Sequence, residues 1–366
     1  MKYLIGILFL QFSFVFCQQE NKIAFDFFDT SIKLYVIGES HIEDDIDLQI
    51  AMIDYILKNT KVDAFIFEIP EEVANIFNKY ILSADMEYEV NTICSLLDKR
   101  ISLKIKRRLE YFRNYNDSHI DKVKIKGIDS YHFYKFKKQM IGLSIIFPEL
   151  KNINLPMVNK YINSRNIKNY NKKKSVNIIR SLIKEIESNM EVFSQYLGNR
   201  KVIYKEYLNN LEFNYKDTWK KTDSIRENFM SKNLIELTNS NAVCLMICGN
   251  VHATYKENDE YYDGYPFTSM TSVVKKKYPY QVFSIIVQYY EKHTPSLHEI
   301  NLLDYPMKYY VENNSEPYII FKKKDIEQYE FAKERCDMIV IKNKEIFKKR
   351  GNVLNYRTLQ FPTITY

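Results

Sequence analysis

What the 366-residue sequence has little of narrows its class first. Beyond the apolar stretch at residues 4–16, no run reaches the roughly 18 to 20 apolar residues that a bilayer span needs, so no integral membrane segment is expected in the mature chain. There are five cysteines, one of them Cys17 at the end of that stretch. Cys244 and Cys248 share one apolar run, where a strand puts both on one face, too far apart to bridge; no disulfide framework is expected. Internal repeats and low-complexity linkers are absent. The basic excess is small, 53 Lys and Arg against 46 Asp and Glu for a net charge of +7. The basic runs at 106–108, 172–174, 275–277 and 322–324 are scattered, which suits a solvated surface rather than a nucleic-acid footprint.

What is present begins with an export signal at residues 1–17. Lys2 supplies the positive start, residues 4–16 the apolar stretch, and Cys17-Gln18-Gln19 the polar end. The mature chain is expected from near Gln18, exported to a periplasmic or extracellular location. Cys17 stands where a lipid-anchored cysteine would, but the bulky Phe16 before it favours simple cleavage. The remainder, in a chain 46% hydrophobic and 27% charged, is enough for one large core.

Four short apolar runs, 34–37, 64–67, 123–128 and 243–247, are strand-like in length and composition, and each ends abruptly in polar residues. Between the first two, Ile46, Ile50, Ile53, Ile56 and Leu57 recur at helical spacing, so strand, helix and strand follow in order and predict parallel strands. Helical patterns run over 71–82, after Pro70, and over 86–113. The stretch 135–239 is long, polar and helical in pattern. After the fourth strand come a polar turn region at 257–266, a helix at 271–277 and further strands at 282–287, 318–321 and 338–341. The expected fold is α/β, a mostly parallel sheet flanked by helices with an inserted helical subdomain. Its parts are 18–134, the insertion 135–239 as a substrate lid or cap, and 240–366.

In such a sheet ligands bind beyond the carboxyl ends of the strands. Reading those positions gives Gly38-Glu39-Ser40-His41, then Glu68, then Asp129, then Gly249-Asn250-Val251-His252. A polar residue ending a strand is often only a turn or cap. The recurrence at four strand ends, taking up two of only six histidines, points instead to a shared site. Histidine takes a proton from water near neutral pH, and a carboxylate such as Glu39 orients the ring. His41, Glu68 and His252 are equally suitable donors for a divalent metal, and strand-end spacing does not separate the two. Ser40 lacks the second glycine of a nucleophile elbow and reads as a cap. Cys248 reads as a buried, inert thiol. His119, His132, His293 and His298 read as surface or structural.

These residues resemble those of the erythromycin esterase-like proteins and the wider ChaN and Tiki/TraB superfamily. Gly38-Glu39-Ser40-His41 followed by Glu68 looks like the opening. Residues 111–116 leading to Gly127-Ile128-Asp129 look like an Arg-x-Tyr-Asn segment, with Arg113 as its arginine, before a strand ending Gly-x-Asp. Arg226, Met230 and Asn233 resemble an Arg-Asp-x-x-Met-x-x-Asn helix, Asn250-Val251-His252 an Asn-x-His, and 267–270 a Ser-Met-Gly stretch. Two departures stand out. The opening is one residue shorter than the esterase Gly-Glu-x-x-His, and Gly249 occupies the place of a histidine.

The resemblance implies a hydrolase acting on a small-molecule ester, a macrolactone included, or on an amide. His41, oriented by Glu39, would activate water while Glu68 and His252 position it or stabilise the intermediate, supported by Arg113, Asp129, Arg226 and Asn250. No cofactor is required by this reading. The resemblance also leaves open a metal-dependent peptidase on the same donors and a haem- or iron-binding surface protein.

Overall fold

The computed structural model describes residues 31–41, 45–83, 85–130, 135–164, 166–216, 219–240, 242–255, 259–262, 265–290, 318–326 and 336–343. The export signal, Cys17, His132, His293 and His298 lie outside them.

Each expected apolar run is a strand: β1 (Leu34–Glu39), β2 (Ala64–Phe67), β3 (Lys124–Gly127) and β4 (Cys244–Gly249). Between them lie α1 (Ile46–Asn59), α2 (Glu71–Ser83), α3 (Glu87–Leu96) and α4 (Lys99–Ser118). The helical pattern expected over 86–113 is thus two helices. Asp98 divides them, its carboxylate accepting from the amide of Arg100 at 2.9 Å as the cap of α4. From β3 to β4 the described chain is helical: α5 (Phe136–Ile146), a 3-10 turn (Pro148–Asn152), α6 (Pro156–Tyr161), α7 (Lys172–Ser188), α8 (Met190–Leu197), α9 (Arg200–Lys216) and α10 (Trp219–Asn239).

After β4 come a short turn of helix, α11 (Asn250–Ala253), and a small antiparallel pair, β5 (Asp259–Tyr262) and β6 (Tyr265–Phe267), where a polar turn region was expected. Tyr261, Tyr262, Tyr265 and Phe267 supply the β propensity that outweighs the polar neighbours. Then follow α12 (Met270–Lys277), β7 (Val282–Tyr290), β8 (Tyr318–Lys322), α13 (Lys323–Ile326) and β9 (Met338–Asn343). Among the described residues no helix is long and apolar enough to cross a membrane.

The strands form a seven-stranded sheet in the order β3-β2-β4-β1-β7-β9-β8, parallel except for β8. Both faces are covered, which is why the strands read as continuous apolar runs. Alternate residues serve the two sides. Tyr35, Ile37, Phe65, Phe67, Leu245 and Ile247 join a core with α1 to α9, whereas Leu34, Val36, Ile66, Met246 and Cys248 pack against Met230 and Leu234 of α10 and Met270 and Val274 of α12. Cys94, Cys244, Cys248 and Cys336 are buried free thiols.

One feature of this order places the site. β4 lies between β1 and β2, so the chain leaves β1, passes over β4's place to β2 and β3, and returns after the helical stretch. The carboxyl ends of β1, β4 and β2 are therefore adjacent, about 5 Å apart from strand to strand. Glu39 is in register with Gly249.

Candidate functional site

Strand parity decides which way each strand-end side chain turns. Glu39 continues the Tyr35 and Ile37 side of β1 and meets α1 and α4. Glu68, one past β2, continues the Ala64 and Ile66 side and meets α10 and α11. Met230 and Leu234 seat α10 on that face, and Arg226, one turn earlier, is thereby carried to the carboxyl edge. Asn233 fastens the same helix, its amide donating to the Ile128 carbonyl at 2.9 Å.

The result is an alternating row of carboxylates and imidazoles. Glu39 Oε1 lies 3.4 Å from His41 Nδ1, and His41 Nε2 lies 3.6 Å from Glu68 Oε2. Glu68 Oε1 lies 3.3 Å from His252 Nε2, and the Glu227 carboxylate engages His252 Nδ1. The His41 side chain is 45% exposed and that of His252 10%. Arg226 grips Asp129 with Nε to Oδ1 at 2.9 Å and Nη2 to Oδ2 at 2.6 Å, while its Nη1 sits 3.4 Å from His252 Nε2. The Gly249 amide donates to Glu68 Oε2 at 3.1 Å, so this strand-end N–H is already committed to a carboxylate.

The charges set the protonation states. Burial pushes Glu68 up, but His252, Arg226, His41 and the Gly249 amide together outweigh it and hold the carboxyl below its ordinary value. Burial likewise opposes ionisation of Glu39, and Arg108, the hydrogen bond to His41, and Lys104 bring it well below the carboxylate range. For His252 burial favours the neutral ring, yet Glu227 and Glu68 prevail over it and over Arg226, and raise its pKa. His252 is thus the imidazole biased towards the cation. Burial, reinforced by Glu68, Glu227 and Glu39, pushes the Cys248 thiol well above its ordinary value, which removes it as a nucleophile.

Of the residues singled out in the sequence, Glu39, His41, Glu68, Asp129, Arg226 and His252 meet. Asn250 stands behind them: its side-chain amide donates to the Val287 carbonyl at 3.0 Å and ties the end of β4 to β7. Arg113 is a correction. Its guanidinium lies over the Tyr80 ring, 5.3 Å from the centroid, and the arginine on Glu39 is Arg108, at 2.9 Å. The face of α4 turned to the sheet carries Lys104, Arg108, Phe112 and Asn116, and Phe112 packs on Phe65 with ring centroids 4.5 Å apart; position 113 falls off that face. Asn116 serves the fold, exchanging hydrogen bonds with both backbone groups of Val123. Ser40 is not a helix cap; α1 begins after Asp45, and Ser40 contributes its carbonyl to Lys104 at 2.8 Å.

Lys104, Arg108 and Glu227 went unrecognised. The first two sit in and beside a basic run that looks solvated in one dimension, yet each is at most 4% exposed. Glu227 did leave a signal, since it follows Arg226 where the quoted helix pattern has an aspartate. The Ser-Met stretch reaches the site through it: Ser269 caps α12, and the Met270 amide donates to Glu227 Oε2 at 2.6 Å.

Gly249, where the resemblance has a histidine, lies between the two imidazoles. A Cβ there would stand 3.0 Å from His41 Nε2 and 3.4 Å from His252 Cδ2, so the missing side chain is what lets both rings face Glu68 over the end of β4. His41 Nε2 and His252 Nε2 both face Glu68, and Glu227 backs the Nδ1 of His252 as an outer carboxylate backs a metal-bound histidine, although among the described residues no group of three His, Cys, Asp or Glu side chains is arranged as a metal site.

No family profile and no curated protein matches the sequence. Solved structures do match. An erythromycin esterase variant in its open conformation aligns at a TM-score of 0.54 and 12% identity over 85% of this chain and 90% of its own. A succinoglycan biosynthesis protein aligns at 0.54 and 11% over 86% and 88%, and a Bacillus cereus protein at 0.52 and 12% over 86% and 88%. At these identities the likeness is one of fold, and the chain has the erythromycin esterase-like fold.

Proposed function

We propose that this chain, on an erythromycin esterase-like fold, is an exported hydrolase that uses water activated by His41 to cleave an ester, a macrolactone included, or an amide bond in a small molecule. The observation that carries the reading is Glu68 standing between two unlike imidazoles, His41 open to solvent and His252 buried and biased towards the cation.

The division of labour follows from the contacts. With Nδ1–H directed at Glu39, His41 presents Nε2 as an acceptor, and 3.6 Å to Glu68 is too long for a direct hydrogen bond. A water beside Nε2 gives up its proton there as its oxygen attacks the substrate carbonyl. The imidazolium that forms is stabilised by Glu39 and Glu68. The oxyanion of the tetrahedral intermediate is stabilised through space by the positive charges of His252 and Arg226, whose N–H groups stay with Glu227, Glu68 and Asp129. Collapse expels the alcohol oxygen, which recovers the proton from His41, and the carboxylic acid leaves. Asp129 and Glu227 keep Arg226 and His252 in place.

Export rests on the pattern of residues 1–17. The metal-dependent alternative uses the same His41, Glu68 and His252, whose Nε2 and carboxylate atoms face one another, and metal analysis of the purified protein with chelator sensitivity separates it from the metal-free mechanism. His41→Ala and His252→Ala should each abolish turnover across a panel of activated esters while leaving a folded protein. Full activity in both variants rejects the site, and a visible absorption band on adding haem would favour the binding-protein reading.

A further inference from the structure

Beneath His41 lies a set of buried polar side chains that no step above uses. Glu39 Oε2 is met from three directions, by Lys104 Nζ at 3.0 Å, by Arg108 Nη2 at 2.9 Å and by the side-chain amide of Gln49, which leaves Oε1 for His41. Lys104 is shared with Asp45 Oδ1 at 2.7 Å, to which Gln49 also donates at 2.7 Å. The Tyr289 hydroxyl donates to the other oxygen of Asp45, and Arg108 Nη2 donates to the side-chain amide oxygen of Gln49. The carboxylate of Glu39, on β1, is thus met from α1 and α4, while β7 reaches the neighbouring Asp45 through Tyr289.

We infer that Lys104 and Arg108 are positioning residues of the His41 site, fixing Glu39 as a one-sided acceptor that aims the imidazole at Glu68; this rests on the proposed role of His41. A staple between α1 and α4 would need only Lys104 with Asp45 and Arg108 with Gln49. It would not require both cations to converge on the same oxygen of a strand-end glutamate. Their effect there is specific. Burial alone favours a protonated Glu39, which would offer a donor to Nδ1 instead of accepting from it, and the ring would then turn or exchange tautomers. With two carboxylates and two cations the set is formally neutral, so it steers His41 by geometry rather than by added charge.

The test uses Lys104→Met, Arg108→Met, Arg108→Lys and the charge-balanced pair Lys104→Met with Asp45→Asn, which removes both ends of one ion pair and guards against simple unfolding. Two quantities are read on protein that unfolds cooperatively: kcat and KM on an activated ester, and the order parameter of the His41 ring from carbon-13-labelled histidine. Positioning predicts a kcat lower by roughly 10- to 100-fold, the range for outer partners of metal-bound histidines, with KM little changed and a more mobile ring. Arg108→Lys recovers part of the loss, and Arg113→Ala changes neither quantity. Lower stability with kcat per folded molecule and ring order unchanged makes the network structural and overturns the inference. If the wild type hydrolyses no ester, the functional proposal fails and the ring order alone decides this one.

Discussion

Glu68 Oε1 lies 3.3 Å from Nε2 of His252, and the Gly249 amide holds the other oxygen of the same carboxylate at 3.1 Å. Glu68 is thereby fixed as the bridge between a buried imidazole and an exposed one. Replacing it by glutamine keeps the shape and removes the charge. Glu68→Gln should lower the pKa of His252 and reduce ester turnover together, read by histidine NMR titration and by kcat. An unmoved His252 titration would show that Glu227 alone sets its state.

Stability should depend on pH in two opposite ways. Glu39 and Glu68 have folded pKa values below the ordinary 4.5, so their contribution is present above that value and is lost as pH falls through the folded ones. His252 is raised above its ordinary 6.5, so its contribution is complete below 6.5 and is lost as pH rises through the folded value. Urea unfolding across pH should show both declines, and His252→Ala should flatten the alkaline one.

The strand order and this pairing were legible in the sequence to different degrees. Leu34 to Ile37, Ala64 to Phe67 and Val243 to Ile247 announce themselves because strands buried on both faces must be apolar throughout, and the polar residue that ends each run marks the edge where a site forms. Strand order is different. That β4 enters between β1 and β2 depends on where a long helical stretch returns the chain, which no local pattern records. Arg113 failed for a reason of phase, since α4 turns Lys104, Arg108 and Phe112 inward. Lys104 and Arg108 were hidden because a buried ion network and a solvated basic run have the same composition.

Asp129 and Arg226 form a bidentate pair at the rear of the site. Asp129→Ala leaves a mostly buried guanidinium short of its main partner, and a loss of about 3 to 5 kcal/mol is expected from the urea midpoint. A loss under about 1 kcal/mol, the range of exposed pairs, would mean that water reaches Arg226 freely.

The two strand-end glycines should respond differently to alanine. At Gly38 a methyl would meet Asn250 Oδ1 at 2.7 Å, Ala253 Cβ at 2.8 Å and Ile286 Cδ1 at 2.9 Å, so Gly38→Ala should cost about 1 to 3 kcal/mol of stability. At Gly249 the nearest atom is His41 Nε2 at 3.0 Å, on a half-exposed ring that can move. Gly249→Ala should therefore depress kcat far more than the melting temperature. Equal effects on both properties would contradict the placement of Gly249 between the rings.

The most direct measurement is the rate of hydrolysis of an activated ester such as 4-nitrophenyl acetate by the purified wild type and by His41→Gln, with folding verified by circular dichroism. A general base at His41 predicts a fall in kcat on the order of 10² to 10⁴ in the folded variant. Undiminished hydrolysis by His41→Gln would contradict the account.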